Sequence, residues 1–138
     1  MGLDLFVRKQ RDFRTENGRQ CYTVETVCNL RKCHHAFDGL NERLEDGFSN
    51  CSTENFYGND FLEVLEDLKE EKLQYDNKSN CLRYVGRIKE TEEDFNERCE
   101  ENSKQLAYEI GKLEELIKGE NITKDNGFEQ LYEVHAWW

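Results

Sequence analysis

The sequence predicts an α+β domain: a small, mainly antiparallel sheet with its N- and C-terminal strands paired, packed with three helices, the last one long. Three observations carry this. Apolar and polar residues alternate at both ends of the 138-residue chain, which is the period of a strand. Three internal stretches repeat apolar residues at steps of three and four, the stripe of an amphipathic helix. Asn17-Gly18 and Asn126-Gly127 supply turn chemistry beside the terminal strands. A sheet with one apolar face must cover it, and helices are the cover this chain offers.

In residues 2–8, Leu3, Leu5 and Val7 share one face while Asp4, Phe6 and Arg8 share the other. Asn17-Gly18 suits a tight hairpin, and residues 20–26 (QCYTVET) are β-prone, so a hairpin is predicted. Arg8, Lys9, Arg11, Arg14 and Arg19 make its edge basic. Val27, Leu30, Cys33, Phe37, Leu40 and Leu44 predict a first helix over 27–45, ended by Gly47. Residues 46–58 are rich in turn formers and read as a loop. Asn59 or Asp60 suits the cap of a second helix over 60–74, with Phe61, Leu65 and Leu68 as its stripe and Leu62 and Val64 alongside.

A polar turn then leads to a short strand predicted at 81–85. The longest element spans 90–118. Thr91 with Asp94 resembles a capping box with the shorter acid. Phe95, Cys99, Asn102, Leu106, Ile110, Leu113 and Ile117 form a seam along it. At 1.5 Å per residue this helix is roughly 40 Å long. Its seam can pack within the chain or pair with a copy of itself, so a homodimer through 95–117 is carried as an expectation. Residues 128–138 form the last strand, with Phe128, Tyr132 and Val134 on a sheet face, Trp138 turned in and Trp137 out.

The chain is the size of one domain and long enough for a real core. It holds no apolar run of membrane-spanning length. Its start lacks the apolar region of a signal peptide, so a cytoplasmic location is expected. Net charge is −11, and it is unevenly spread. Residues 1–50 carry eight basic and eight acidic side chains; residues 51–138 carry eleven basic and twenty-two acidic. Such a surface repels phosphates and excludes ordinary nucleic-acid binding. It is drawn to basic partners.

Six cysteines are spaced irregularly and form no C-x-x-C, so reduced, partly buried thiols are expected rather than disulfides. Cys28, Cys33, His34 and His35, joined by His135 from the last strand, are metal-ligand types and the basis of a metal-binding or hydrolytic alternative. Zinc sites favour a tighter pair and a distant second pair, and Cys33 beside His34 in sequence is not the geometry of a nucleophile and its base. No nucleophile elbow, phosphate loop, dinucleotide fingerprint or H-E-x-x-H motif is present. The expectation is therefore a protein without catalytic residues, metal or cofactor.

The opening Met1-Gly2-Leu3-Asp4, the basic pair Arg31-Lys32, the stretch NDFLEVLEDLKE, the long acidic helix and the aromatic tail ending in Trp138 occur together. In combination they resemble a family of small phage and bacterial proteins that begin Met-Gly-Leu-Asp and end in an aromatic strand closing on Trp. This chain departs from that pattern in its first helix, with Leu30 where a Trp is expected and Phe37 where a His is expected. The resemblance implies a phage or prophage origin, hence the host cytoplasm, and no particular reaction.

The functional expectation is thus an acidic interaction protein that inhibits a host nucleic-acid-handling or defence enzyme by binding it, in the manner of anti-CRISPR proteins and DNA mimics. Glu63, Glu66, Glu70, Glu92, Glu93, Glu97, Glu100 and Glu101 are the expected contacts, with Trp137 as an aromatic anchor. A regulatory homo-oligomer without activity is the other alternative.

Overall fold

In the computed structural model, which describes residues 2–78, 84–85 and 88–138, strand β1 (Asp4–Glu16) and strand β2 (Arg19–Asn29) form a long hairpin about Asn17-Gly18. Both turn residues have positive φ, 50° at Asn17 and 75° at Gly18. That is what a two-residue turn matching the strand twist demands. The register shifts between Val7 and Arg8 and between Arg11 and Arg14, the second shift lying where Asp12 also takes positive φ.

The first predicted helix is displaced. Residues 27–29 belong to β2, and α1 is only His34–Asn41. The strand ladder continues past β2: Leu30 N–H donates to Leu5 O and Lys32 N–H to Leu3 O. Lys32, at φ 60°, then turns the chain into α1. Leu30, Cys33 and Leu40 are buried as the stripe requires, but three of its members are spaced by a strand end and a turn rather than by a helix.

The stretch read as a loop contains strand β3 (Thr53–Tyr57). Only Phe56 of its five residues is buried, so alternation is invisible in the sequence. α2 runs Gly58–Asn77, two residues earlier than predicted. Its cap is Tyr57, whose N–H donates to the Asp60 carboxylate at 2.8 Å. Gly58 opens the helix against Ile122 and the Gly127 backbone, where a Cβ would come within 3.0–3.2 Å of those atoms.

β4 (Tyr84–Val85) and β5 (Ile88–Lys89) make a separate two-residue ladder. The earlier part of the strand predicted at 81–85, with Cys81, lies outside the described residues. α3 (Glu92–Gly119) matches its prediction closely, and the Thr91 hydroxyl accepts the Asp94 N–H at 3.1 Å. β6 (Leu131–Trp137) starts later than predicted, so Phe128 stands before the strand and is exposed.

The main sheet has the order β2-β1-β6-β3, antiparallel throughout. The first and last strands pair at its centre, Leu5 opposite Ala136 and Val7 opposite Val134. Leu5, Val7, Phe56, Tyr132, Val134 and Ala136 point into the helices. α2 and α3 pack antiparallel, with Lys69 beside Glu114 at one end and Lys78 beside Asn96 at the other. Phe37, Phe48, Phe56, Phe61 and Tyr132 link helices and sheet through successive ring contacts of 5.2–6.3 Å.

Of the α3 seam, Phe95, Cys99, Leu106 and Leu113 are buried within this chain, and Ile110 and Ile117 pack on the same core. Among the described residues these seam members face the chain's own core, so they add no support to the homodimer expected through 95–117.

Candidate functional site

Helix α2 carries seven acidic and two basic side chains, and α3 nine acidic and four basic. These two helices therefore hold nearly all of the net charge. Glu63, Glu66, Glu70, Glu92, Glu93, Glu97, Glu100 and Glu101 are all exposed. They form two groups. Those of α2 lie toward its Gly58 end, near Glu114 of α3. Those of α3 occupy its first turns, beside the Asp76 end of α2 where Ser103 hydrogen-bonds Asp76. A shallow groove beside the first group is lined by Arg43, Leu62, Glu63, Glu66, Asp67 and Lys124. Arg43 bridges Glu63 at 3.3 Å and Asp67 at 3.2 Å, so part of that charge is compensated from α1's end.

One member of the acidic set behaves differently. Glu109 is wholly buried at the meeting of α1, α2 and α3. Its Oε1 accepts the Ala36 N–H at 2.8 Å, and its Oε2 accepts His35 Nδ1–H at 2.7 Å and Gln105 Nε2 at 3.1 Å. α1 has no acid in its first turn, and its cap residue Cys33 makes no capping bond. Glu109 supplies that missing carboxylate from another helix, which suits the unpaired amides and the dipole at an N-terminus. Gln105 also reaches Lys32 O at 2.8 Å, and Tyr108 donates to Arg31 O at 3.1 Å, so one face of α3 holds the whole β2–α1 turn.

The other His35 nitrogen, Nε2, faces Glu71 of α2 at 3.8 Å and is partly exposed. The hydrogen bond to Glu109 is the chief reason the His35 pKa stands above its ordinary value, with the Glu109, Glu71 and Asp38 charges adding to it against burial. Burial is the chief cause of the raised Glu71 pKa. Chemically this arrangement favours the protonated form of an imidazole set between two carboxylates.

The expected Cys/His constellation does not assemble. His34 is exposed at the start of α1 and His35 is turned to Glu109. His135 lies on the sheet face away from the helices, sharing a 2.9 Å hydrogen bond with Thr53. Cys33 is buried, and burial above all, then Glu109 and Cys28, pushes its thiol up to about 12. Among the described residues no three His, Cys, Asp or Glu side chains are placed to hold a metal ion. Trp137 is 55% exposed on the open sheet face, so it does not join the glutamates. Trp138 meets Phe37 edge-on at 5.4 Å yet stays 39% exposed, less enclosed than predicted.

Sequence reasoning missed Glu109 as a distinct residue. Its signal was present: it stands three residues after Leu106 and four before Leu113, on the buried side of α3 among acids that otherwise face water. Among the described residues no helix is long and apolar enough to cross a membrane. Comparison with protein-family models, curated proteins and solved structures finds no match.

Proposed function

We propose that this protein is an interaction module that sets the exposed carboxylates of α2 and α3 against a cationic surface of a partner protein, one that otherwise holds nucleic acid. The observation that supports this most is the exposure of all eight glutamates on two antiparallel helices. These helices carry almost the whole net charge of the chain.

Magnitude sets what kind of mimic this is. Over a helix of roughly 42 Å, the nine net negative charges left when buried Glu109 is set aside amount to about one per 5 Å of axis. Duplex DNA carries about one per 1.7 Å. The surface is therefore a dilute copy of a duplex and competes by steering and shape as well as by charge. On the phage or prophage origin that Met1-Gly2-Leu3-Asp4 resembles, the partner is a basic host enzyme of nucleic-acid handling or defence, and binding inhibits it.

The test is capture from bacterial lysate with the immobilised protein, at low and high salt, followed by elution with duplex DNA. A basic protein that is retained at low salt and displaced by duplex supports the reading. A partner whose retention ignores both salt and duplex contradicts it.

A further inference from the structure

β1 and β2 pair along their whole length, from Phe6 opposite Asn29 to Glu16 opposite Arg19. β6 accompanies β1 only from Asp4 to Lys9. Beyond Lys9 the hairpin has no third strand paired beside it: Gln10 Nε2 and the Tyr22 hydroxyl still donate to Glu133 of β6, at 2.8 and 2.7 Å, and every residue from 11 to 20 is exposed. A two-stranded ribbon is marginal in water; three or more strands, or a packed helix, are normally needed.

The outer edge of this ribbon is β2, an end strand of the sheet. Natural edges are usually blunted by lysine, proline, a bulge or a covering segment. β2 has no Lys and no Pro; its one bulge, between Thr26 and Cys28, lies near the body, and the second shift puts its extra residue on β1, where Asp12 takes positive φ. Its charged residues are Arg19 and Glu25, one at each end of the QCYTV segment. Phe13 and Tyr22, rings 5.7 Å apart, stand exposed at the same end of the arm.

We infer that two copies of this chain pair through β2, antiparallel, about a twofold axis at Tyr22. Of the symmetric registers, this one sets Arg19 of each copy opposite Glu25 of the other, twice over, adding a second cation to the Glu25 carboxylate that Arg11 bridges at 2.6 Å, and it places the two Tyr22 backbones opposite one another. It completes a four-stranded ribbon, β1-β2-β2-β1, from two marginal ones. It also joins the copies at the segment where charge is balanced: residues 1–50 are neutral overall, while the acidic helices would repel. A symmetric contact of this kind closes on itself and stops at a dimer. This inference is independent of the acidic-surface reading, since it uses none of the same residues.

Two measurements test it together. Sedimentation equilibrium of the full chain, taken into the millimolar range, gives the mass. Tyr22→Cys and Thr26→Cys, each in a Cys21→Ser, Cys51→Ser chain with that parent as blank, give the register. Cα atoms opposite one another in an antiparallel pair are about 4.5–5.5 Å apart, within the reach of a disulfide. The two position-26 residues would be about 27 Å apart along the strands, at 3.4 Å per residue. The expected result is a concentration-dependent dimer, weakened at least ten-fold by Arg19→Glu, and rapid oxidative cross-linking of the Tyr22→Cys chain alone. A monomer at all concentrations overturns the proposal, and so does a dimer that cross-links through position 26 or not at all through position 22. Circular dichroism of each variant confirms that it is folded before the outcome is read.

Discussion

Glu109 of α3 holds His35 and the first turn of α1 with its two oxygens, 2.7 Å to the imidazole and 2.8 Å to the Ala36 amide. The carboxylate is wholly buried, so its solvation has been replaced by these donors and by Gln105. Removing one side of such a buried charged network leaves the other unpaired. Glu109→Ala is expected to cost about 3–5 kcal/mol, the range for breaking a buried pair from one side. Glu109→Gln should cost less, because its carbonyl still accepts one of the bonds. Urea unfolding midpoints check both; an alanine variant of wild-type stability would show that the network is not closed as described.

His35 makes stability depend on pH with a definite sign. Its folded-state pKa lies above the ordinary 6.5, first because of the Glu109 bond and then the charges of Glu109, Glu71 and Asp38. Folding therefore favours the protonated imidazole. That stabilisation is fully present below about 6.5 and is lost as pH rises through the raised value. Glu71, raised from 4.5 mainly by burial, acts in a more acidic window: its neutral form is favoured by folding, and that contribution is lost as pH climbs through its own raised value. The His35→Gln variant should flatten the stability profile above about pH 6.5 and leave the acidic limb. An unchanged slope above about pH 6.5 in that variant contradicts the assignment.

Thiol reactivity separates structural from accessible cysteines. Cys33 and Cys99 are buried, Cys51 is exposed, and burial raises the Cys28 and Cys33 pKa values. Since the thiolate is the reactive form, Cys33 is held inert at neutral pH. Among Cys33, Cys51 and Cys99, alkylation of the native protein at neutral pH is expected at Cys51 first. Cys33 and Cys99 should react only on unfolding. Mass mapping of the labelled peptides checks this, and fast native labelling of Cys33 would revive a nucleophilic role for it.

The sequence was most legible where one period ran unbroken. Leu3, Leu5 and Val7 announced the core face of β1, and the seam from Phe95 to Ile117 announced α3, because each pattern lies within a single element. It misled at 27–45, where Val27, Leu30 and Cys33 continue a helical step although the chain there is leaving a strand and turning at Lys32. β3 was unreadable because an edge strand with one buried side chain has no pattern to show. The eight glutamates were rightly expected to face water. Trp137 was not their neighbour, since strand parity puts it on the opposite side of the sheet. The burial of Glu109 was legible from its place between Leu106 and Leu113, but its partners, His35 and the Ala36 amide, were not, because they lie more than seventy residues away.

The measurement closest to the central claim replaces Glu63, Glu66, Glu70, Glu92, Glu93, Glu97, Glu100 and Glu101 by Gln together, with circular dichroism to confirm the fold. Exposed ion pairs are worth about 0.2–1 kcal/mol each, so eight together predict at least a ten-fold loss of affinity for the captured partner. Neutralising Arg11, Arg14 and Arg19 on the hairpin should leave that affinity in place. Loss with the glutamates and retention with the hairpin arginines is the expected pair of results. Full affinity in the eight-fold Gln variant would contradict the account.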